Sequence, residues 1–191
     1  MKFDIDTGNI TMKWALDVQN LLQQCGFYEV WLFPVSVKID AFIPLLRRRL
    51  IDIYITDWFI EMNNSTSLVL FRELKKEFQM SEYLSKIVNV KIRRTISKQR
   101  LSSHDLKIET GRHAHIERQN RKCSLCNLND IEDEFHFILK CPSYSSIRKQ
   151  YIKKYYYMNP SVFKLINLLN CSNAKTLSSL AIYCSKAFKI R

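Results

Sequence analysis

Residues 121–142 read RKCSLCNLNDIEDEFHFILKCP, and this stretch holds the strongest structural signal in the chain. It contains two cysteines separated by two residues, then a histidine and a third cysteine, in the pattern C-x2-C-x9-H-x4-C. Structural zinc sites use four cysteine or histidine donors at tetrahedral corners, and four protein donors leave no position for a substrate. The spacing therefore predicts a structural zinc site with the ligands Cys123, Cys126, His136 and Cys141.

Other interpretations of this cluster stay open at the level of sequence. A C-x-x-C pair also serves in redox proteins, but there it begins a helix of a thioredoxin-like fold, and no βαβ pattern surrounds it here. The four residues could be unrelated buried side chains, and His113 or His115 could supply the fourth ligand instead. The remaining cysteines lie on apolar helix faces, where core thiols are expected: Cys25, Cys171 and Cys184.

The composition of the 191-residue chain favours helices. Only 3 Gly and 4 Pro are present, too few for the many tight turns of a sandwich or barrel. We expect a mainly α fold, a helical domain with a small Cys3His zinc-bound module near its C-terminal half.

The sequence contains no run of 18 apolar residues, so it predicts no membrane span. Because residues 1–6 carry acids where a signal peptide would be basic and then apolar, we expect a nuclear or cytoplasmic protein, not a secreted one.

The spacing of apolar residues predicts helices along most of the chain, at 12–25, 40–62, 67–78, 81–88, 145–156, 161–169 and 175–188. Gly26 is expected to stop the first helix, and residues 27–37 could be extended. The chain divides into four segments: a helical region (1–90), a basic helical segment (91–122), a zinc-knuckle module (123–142) and C-terminal helices (143–191).

A structural corner is predicted between the basic segment and the cysteines. Ser102, with an acid three residues on, could cap a helix start. Glu109 and Arg112 are one turn apart and can pair, while Gly111 could adopt the left-handed conformation that ends a helix. His104 is expected to be a hydrogen-bonded structural histidine.

The net charge of +12, from 30 basic and 18 acidic residues, attracts polyanions. Residues 91–122 hold ten Lys or Arg against three acids, an excess of seven, although most charge runs are solvated helix faces. The candidate nucleic-acid contacts are Lys91, Arg93, Arg94, Lys98, Arg100, Arg118, Arg121, Lys122, Tyr144 and Arg148.

Among the tyrosines, Tyr144 follows the last predicted ligand and is the candidate for stacking on a base. Tyr151 and Tyr155 share helical spacing with Ile147 and are expected to pack in the core. A membrane partner is disfavoured, because no predicted helix combines a strongly basic face with an exposed aromatic one.

Three blocks of sequence carry a resemblance to a known family: RLSSHDLKIETGR at 100–112, RKCSLCN at 121–127, and IEDEFHFILKCPSY at 131–144 followed by Arg148. They resemble the C-terminal region of reverse transcriptases from LINE-type (non-LTR) retrotransposons. Residues 14–31 and 49–58 are similar to the connector that precedes that region. The resemblance implies a zinc knuckle that contacts template RNA or target DNA, and the four predicted ligands match its ligands one for one.

The catalytic parts of that family do not appear in this sequence. A polymerase needs carboxylates that hold two metal ions, including a Tyr/Phe-x-Asp-Asp turn, and the chain contains no Asp-Asp pair. The Lys/Arg-Pro-Asp signature of the nuclease that follows some knuckles is also missing after Cys141. We therefore expect a zinc-dependent nucleic-acid-binding tail rather than an enzyme. Its partners would be RNA or DNA, with little sequence preference, and a polymerase domain outside this chain. The alternative is a zinc-stabilised structural or protein-interaction relic without nucleic-acid binding.

Overall fold

The computed structural model describes residues 13–191, and the chain divides into two compact units, Met1–Glu61 and Met62–Arg191. The structure is 69% helical, and its described residues form no β-strand, so the predicted mainly α class is confirmed. Met12, where the first helix was predicted to begin, lies outside the described residues. The division of the sequence into four segments is finer than these two units and stays a prediction.

Two short helices precede a long one, which begins in the first unit and ends at Asn64, three residues into the second. Helix α1 (Lys13–Gln24) is followed by Gly26, whose φ of +77° lies in the left-handed region that favours glycine. The predicted stop is therefore confirmed. Helix α2 (Tyr28–Leu32) and a 3-10 turn (Pro34–Ser36) lead into helix α3 (Ile39–Asn64), which the sequence predicted within a few residues.

The prediction of an extended segment at residues 27–37 is wrong. Helix α2 occupies the first half of this segment and packs against α1, while the ring of Phe27 lies edge-on to Phe42, with 5.3 Å between centroids. The apolar residues of this stretch form a short run, and periodicity alone does not distinguish a strand from a helix in so short a run. Packing against α1 selects the helix.

The second unit continues with shorter helices, and none of the described helices is long and apolar enough to span a membrane. Its helices are α4 (Val69–Leu74), α5 (Glu82–Lys86), α6 (Val90–Arg100), α7 (Lys107–His113), α8 (Ser145–Tyr151), α9 (Lys154–Tyr157), α10 (Val162–Leu169) and α11 (Ala174–Ile190). A π-helical turn (His136–Lys140) and 3-10 turns at Arg118–Asn120 and Pro142–Tyr144 complete it.

Polar side chains begin three of these helices. The Asn89 side chain accepts hydrogen bonds at the start of α6, Ser161 at the start of α10, and Asn173 at the start of α11. These caps satisfy backbone N–H groups that have no partner within the first helical turn. They place the starts of α10 and α11 within a residue of the sequence prediction.

Helix α11 is the centre of the second unit. It packs against α6, α8 and α10, and its buried face carries Leu177, Leu180, Ala181, Tyr183, Cys184 and Ala187. The Tyr183 hydroxyl donates a 2.5 Å hydrogen bond to the carbonyl of Phe137, which lies in the π-helical turn. This bond joins the central helix directly to the segment that contains the predicted histidine ligand.

The helix predicted over residues 145–156 is two helices in the structure. Helix α8 ends at Tyr151, and Ile152 adopts an extended conformation with φ of −110° and ψ of 131°. The side chain of Ile152 is buried in the core, and the chain resumes a helical turn only at Lys154. Burial of this one apolar side chain interrupts a pattern that is helical by spacing alone.

The corner at residues 102–112 has a different construction from the one predicted. Ser102 caps no helix: it lies in a turn with φ of +52°, and its hydroxyl donates to the Glu134 carboxylate. Gly111 lies inside α7, where a Cβ atom would approach Arg121 Cγ to 2.6 Å, so glycine is required by close packing rather than by a helix end. The Glu109–Arg112 pair is confirmed, with 2.8 Å between Oε2 and Nη2.

Candidate metal centre

The structure brings the four predicted ligands together. One donor atom from each lies within 4.8 Å of the others, and the four residues are Cys123, Cys126, His136 and Cys141. The Cys123 and Cys141 Sγ atoms are 4.0 Å apart, and Cys126 Sγ lies 3.3 Å from His136 Nε2. Zinc bonds of about 2.3 Å to sulfur and 2.0–2.1 Å to nitrogen at tetrahedral angles require S–S separations of about 3.8 Å and S–N separations of about 3.5 Å. The donor set therefore fits one tetrahedral ion.

Backbone pairing shapes the loop that presents the first two cysteines. Cys123 N donates to Asp130 O, and Glu132 N donates to Arg121 O, both at 2.9 Å, which closes residues 123–130 into a compact loop. Asn129 turns this loop with φ of +57°, a conformation that asparagine tolerates better than most residues. The loop holds Cys123 and Cys126 on the same side, facing the π-helical turn.

The π-helical turn sets the second pair of ligands. Cys141 N donates to His136 O at 2.7 Å, a bond that spans five residues instead of the four of an α-helix. His136 is 2% exposed and Cys141 is fully buried. The wider turn lets Cys141 lie beside Cys123, as the predicted ligand set requires. The π-helical form of the turn was not predicted from the spacing.

The protonation states of the donors follow from burial. Burial raises the pKa of Cys123 to about 12 and also raises the pKa of Cys141, although backbone N–H groups of Leu125 and Ser143 bond the two sulfurs and oppose the shift. Burial also lowers the pKa of His136, which favours the neutral imidazole that binds metals. Thiolates at these positions require a cation between them, because an uncompensated buried charge is costly.

Asp130 is a functional candidate that the sequence analysis missed. Its Oδ2 atom lies 3.5 Å from His136 Nδ1 and 2.8 Å from Lys140 Nζ. A metal-binding histidine commonly donates a hydrogen bond from its second ring N–H to a carboxylate, which fixes the tautomer of the ring. The signal in the sequence was an aspartate in the loop between the ligands, but its distance of six residues from the histidine gave no indication of contact.

Two buried glutamates, Glu132 and Glu134, stabilise the segment between Cys126 and His136 through hydrogen bonds to other parts of the chain. Glu132 is 1% exposed and accepts two 2.9 Å hydrogen bonds from the guanidinium of Arg191, and one from the backbone of Lys107. Glu134 accepts from Ser102 and lies 2.9 Å from His104 Nε2. His104 is therefore hydrogen-bonded, as predicted. These contacts hold the segment that precedes His136 in place without a metal.

The predicted nucleic-acid contacts divide by exposure. Five basic side chains are exposed in the structure: Lys91, Arg94, Lys98, Arg118 and Lys122. Arg93 and Arg121 are half-buried and donate to backbone carbonyls, Arg93 to Leu84 and Arg121 to Ile108 and Ile116. These two arginines contribute charge near the surface, but their guanidinium groups already bond the protein.

Three of the predicted contact residues are buried, and the structure corrects their role. Arg148 donates to the carbonyls of Ile138 and Cys141 at 2.8 and 2.7 Å. Arg100 donates to the last carbonyl of α10, and its guanidinium lies 4.9 Å from the centre of the Tyr83 ring. Tyr144 is fully buried, so it offers no face to a base. Sequence alone could not separate these side chains from solvated ones.

The expectation for the other tyrosines holds for one and fails for the other. Tyr151 is half-buried and packs against the core, as predicted, whereas Tyr155 is 59% exposed. Helix α9 is one turn long, and Tyr156 and Tyr157 take its inner side against the core. The break at Ile152 changes the helical register, so Tyr155 no longer follows the face of Ile147 and Tyr151.

The three non-ligand cysteines lie in or against packed regions, as predicted. Cys25 and Cys184 are buried, and the half-buried Cys171 packs against the core. Neither His113 nor His115 belongs to the cluster of donors.

The arrangement defines the protein as a helical chain with a Cys3His group suited to a metal ion. Comparison with known proteins found no matching family model, no similar curated protein and no similar solved structure.

Proposed function

We propose that the chain is a zinc-stabilised nucleic-acid-binding module of the kind that ends LINE-type reverse transcriptases, without polymerase or endonuclease activity of its own. The observation that carries this proposal is the Cys3His group, whose four donors approach one another within 4.8 Å. Three sulfurs and one imidazole favour zinc over magnesium or calcium, which prefer oxygen ligands. The resemblance of residues 100–148 to the family region supplies the biological context.

Zinc would act here as a structural element. Cys123, Cys126, His136 and Cys141 would hold it, and a site with four protein donors supplies folding energy rather than catalysis. Structural zinc contributes about 10–16 kcal/mol of apparent binding free energy near neutral pH, more than the stability of most small domains. The metal would therefore decide whether the loop at residues 123–130 is ordered against the helices.

The charge of the chain supports a polyanion as the partner. The net charge is +12, and exposed cations on α6 include Lys91, Arg94 and Lys98. Phosphate contacts of this type give affinity with little sequence preference and a steep dependence on salt. RNA or DNA is therefore the proposed ligand, and a polymerase domain outside this chain is the proposed neighbour.

A second candidate is a protein-interaction module without nucleic-acid binding. It is favoured by the apolar residues that α3 exposes, among them Ile39 at 69%, Leu45 at 57% and Ile43 at 53%. Exposed apolar patches commonly mark protein interfaces. The two candidates differ in what happens at low salt, because only the first binds nucleic acid without a partner protein.

Two measurements test the proposal. Elemental analysis after dialysis should find about one zinc per chain, and the Cys126→Ser variant should lose it together with much of its thermal stability, whereas the Cys171→Ser control should keep both. Filter binding should then detect single-stranded RNA binding that weakens steeply with salt. A folded chain without zinc would refute the structural role of the metal, and no binding at low salt would leave only the protein-interaction candidate.

A further inference from the structure

The distribution of charge differs between the two ends of the chain. Residues 135–191 contain ten Lys or Arg and no Asp or Glu, so this stretch carries +10 of the total of +12. The basic segment at 91–122 has an excess of seven, but residues 123–134 next to it carry four acids and no Lys or Arg. The last acid before the C-terminal stretch is Glu134, which is buried and hydrogen-bonded.

An exposed aromatic cluster lies within this basic stretch. Tyr155 is 59% exposed and Phe163 is 65% exposed, with Val162 at 53% and Met158 at 48% beside them. Single exposed apolar residues are ordinary, but four within nine positions of the sequence form a patch that needs an explanation.

One lysine lies against the Tyr155 ring, and two others precede it in the sequence. Lys164 Nζ lies 4.9 Å from the centre of the Tyr155 ring and donates to the Met158 carbonyl, which joins α10 to the end of α9. Lys153 and Lys154 are exposed immediately before Tyr155. We call this set, Lys153, Lys154, Tyr155, Phe163 and Lys164, the aromatic–lysine patch.

The Tyr155 ring is held in place rather than loose. Tyr156 lies edge-on to it, with 5.2 Å between centroids and 75° between ring planes, and Tyr156 is itself half-buried against the core. Lys164 covers one side of the Tyr155 ring, yet more than half of the residue surface stays exposed. A fixed ring with an accessible face is what stacking on a planar base requires.

The features of the patch favour single-stranded nucleic acid over other anionic partners. Bases of a duplex are stacked inside it, whereas unpaired bases offer their faces to aromatic side chains beside backbone-binding cations. A membrane surface is matched less well, because many interfacial amphipathic helices have about 20–30 residues, whereas the patch lies on helices of four and eight residues.

We propose that the aromatic–lysine patch is a stacking platform for single-stranded nucleic acid, on which Tyr155 and Phe163 contact bases while Lys153, Lys154 and Lys164 contact phosphates. This inference rests on the proposed nucleic-acid function and assigns it to a surface outside the basic helix α6. Tyr155 and Phe163 take the stacking role that the sequence had suggested for Tyr144, which is buried.

The test uses the full chain with zinc and compares oligonucleotides that have bases with an abasic strand of the same length. Tyr155→Ala and Phe163→Ala should each weaken binding to a 20-mer of uridine or thymidine by roughly 5- to 150-fold, the range for loss of one stacked base. Binding to the abasic strand should not change. Tyr155→Phe should retain affinity, because it keeps the ring. The uridine and thymidine arms distinguish RNA from DNA as the preferred source of bases.

Two controls separate stacking from charge and from folding. Trp14→Ala removes an aromatic residue of the first unit that is 50% exposed and should leave binding unchanged. The double change Lys153→Gln and Lys154→Gln should weaken binding to both strands and reduce the salt dependence, whereas the alanine variants should leave the salt dependence intact.

The outcomes also distinguish this inference from the proposed function. Wild-type binding that Tyr155→Ala and Phe163→Ala leave unchanged would overturn the platform and keep the nucleic-acid function. Equal losses on base-bearing and abasic strands would overturn stacking as the mechanism. Binding to vesicles containing phosphatidylserine, without binding to either strand, would overturn both and identify a membrane surface.

Discussion

Asp130 lies beside His136, on the side of the imidazole that faces away from the candidate metal centre. Asp130 Oδ2 lies 3.5 Å from Nδ1 of the imidazole, while Nε2 on the opposite side of the ring lies 3.3 Å from Cys126 Sγ. His136 Nδ1 has no hydrogen-bond partner among the described residues, and the Asp130 carboxylate is the nearby acceptor that would fix the tautomer leaving Nε2 free to bind a metal. Lys140, at 2.8 Å from the same Oδ2, lowers the pKa of Asp130 through its hydrogen bond and keeps the carboxylate ionised.

Replacement of this carboxylate should weaken metal binding without removing a ligand. Asp130→Asn is expected to lower zinc affinity about 10- to 100-fold, the range for lost partners of metal-binding histidines. Asp57→Asn makes the same change of charge in the first unit and should have no effect. Competition with a chromophoric chelator measures both variants, and equal affinities would exclude the orienting role of Asp130.

Stability should depend on pH in opposite directions with and without metal. In the metal-free protein, the pKa of Cys123 is raised to about 12 from an unperturbed value of 9.0. The folded form therefore keeps this proton longer than the unfolded form, and the stability that it contributes is lost as pH rises from 9 towards 12.

With zinc bound, the thiols are deprotonated in the folded form, so stability should fall as pH decreases below the unfolded thiol pKa. Urea denaturation midpoints measured below pH 9 with zinc, and between pH 9 and 12 with a chelator, give the two slopes. Slopes of the same sign would contradict the thiolate ligand set.

Arg148 is expected to act on stability rather than on binding. Its guanidinium donates to the carbonyls of Ile138 and Cys141 from a buried position, so Arg148→Met removes both bonds and leaves Cys141 O with only the 3.4 Å bond from Tyr144 N. The cost should be about 2–5 kcal/mol of unfolding free energy. Its exposed neighbour provides the control: Lys149→Gln should leave the free energy of unfolding unchanged and lower only the affinity for polyanions. Chemical denaturation and filter binding on both variants separate the two roles.

A methyl group at position 111 should disturb the packing of α7 against Arg121, which precedes the loop at residues 123–130. The Cβ of Gly111→Ala would lie 2.6 Å from Arg121 Cγ, and Arg121 is held by hydrogen bonds to the carbonyls of Ile108 and Ile116. We expect a loss of about 1–3 kcal/mol of unfolding free energy, as for other overpacked sites. Denaturation of this variant beside the exposed-site control Thr110→Ala measures the effect, and equal stabilities would mean that Arg121 moves freely.

The four metal donors could be predicted because their spacing carries the chemistry. Two cysteines two residues apart, and a histidine and cysteine five positions apart, can each reach one ion through local backbone geometry. Helix existence was also predictable from apolar spacing, and the Asn and Ser caps account for the precise starts of α10 and α11. Each of these properties depends on residues close together in the sequence.

What only the tertiary structure decided was the environment of each polar side chain. Arg148 and Arg100 look the same in sequence as Lys98, yet packing against α10 and α11 buries the two arginines and leaves the lysine in solvent. The same packing buried Tyr144 and exposed Tyr155. The amino-acid sequence by itself determined the helical class, the four donor residues of the candidate metal centre and the excess of positive charge, because local spacing and composition encode them. Burial depends on contacts between distant segments, and those contacts arise only when the helices pack around α11.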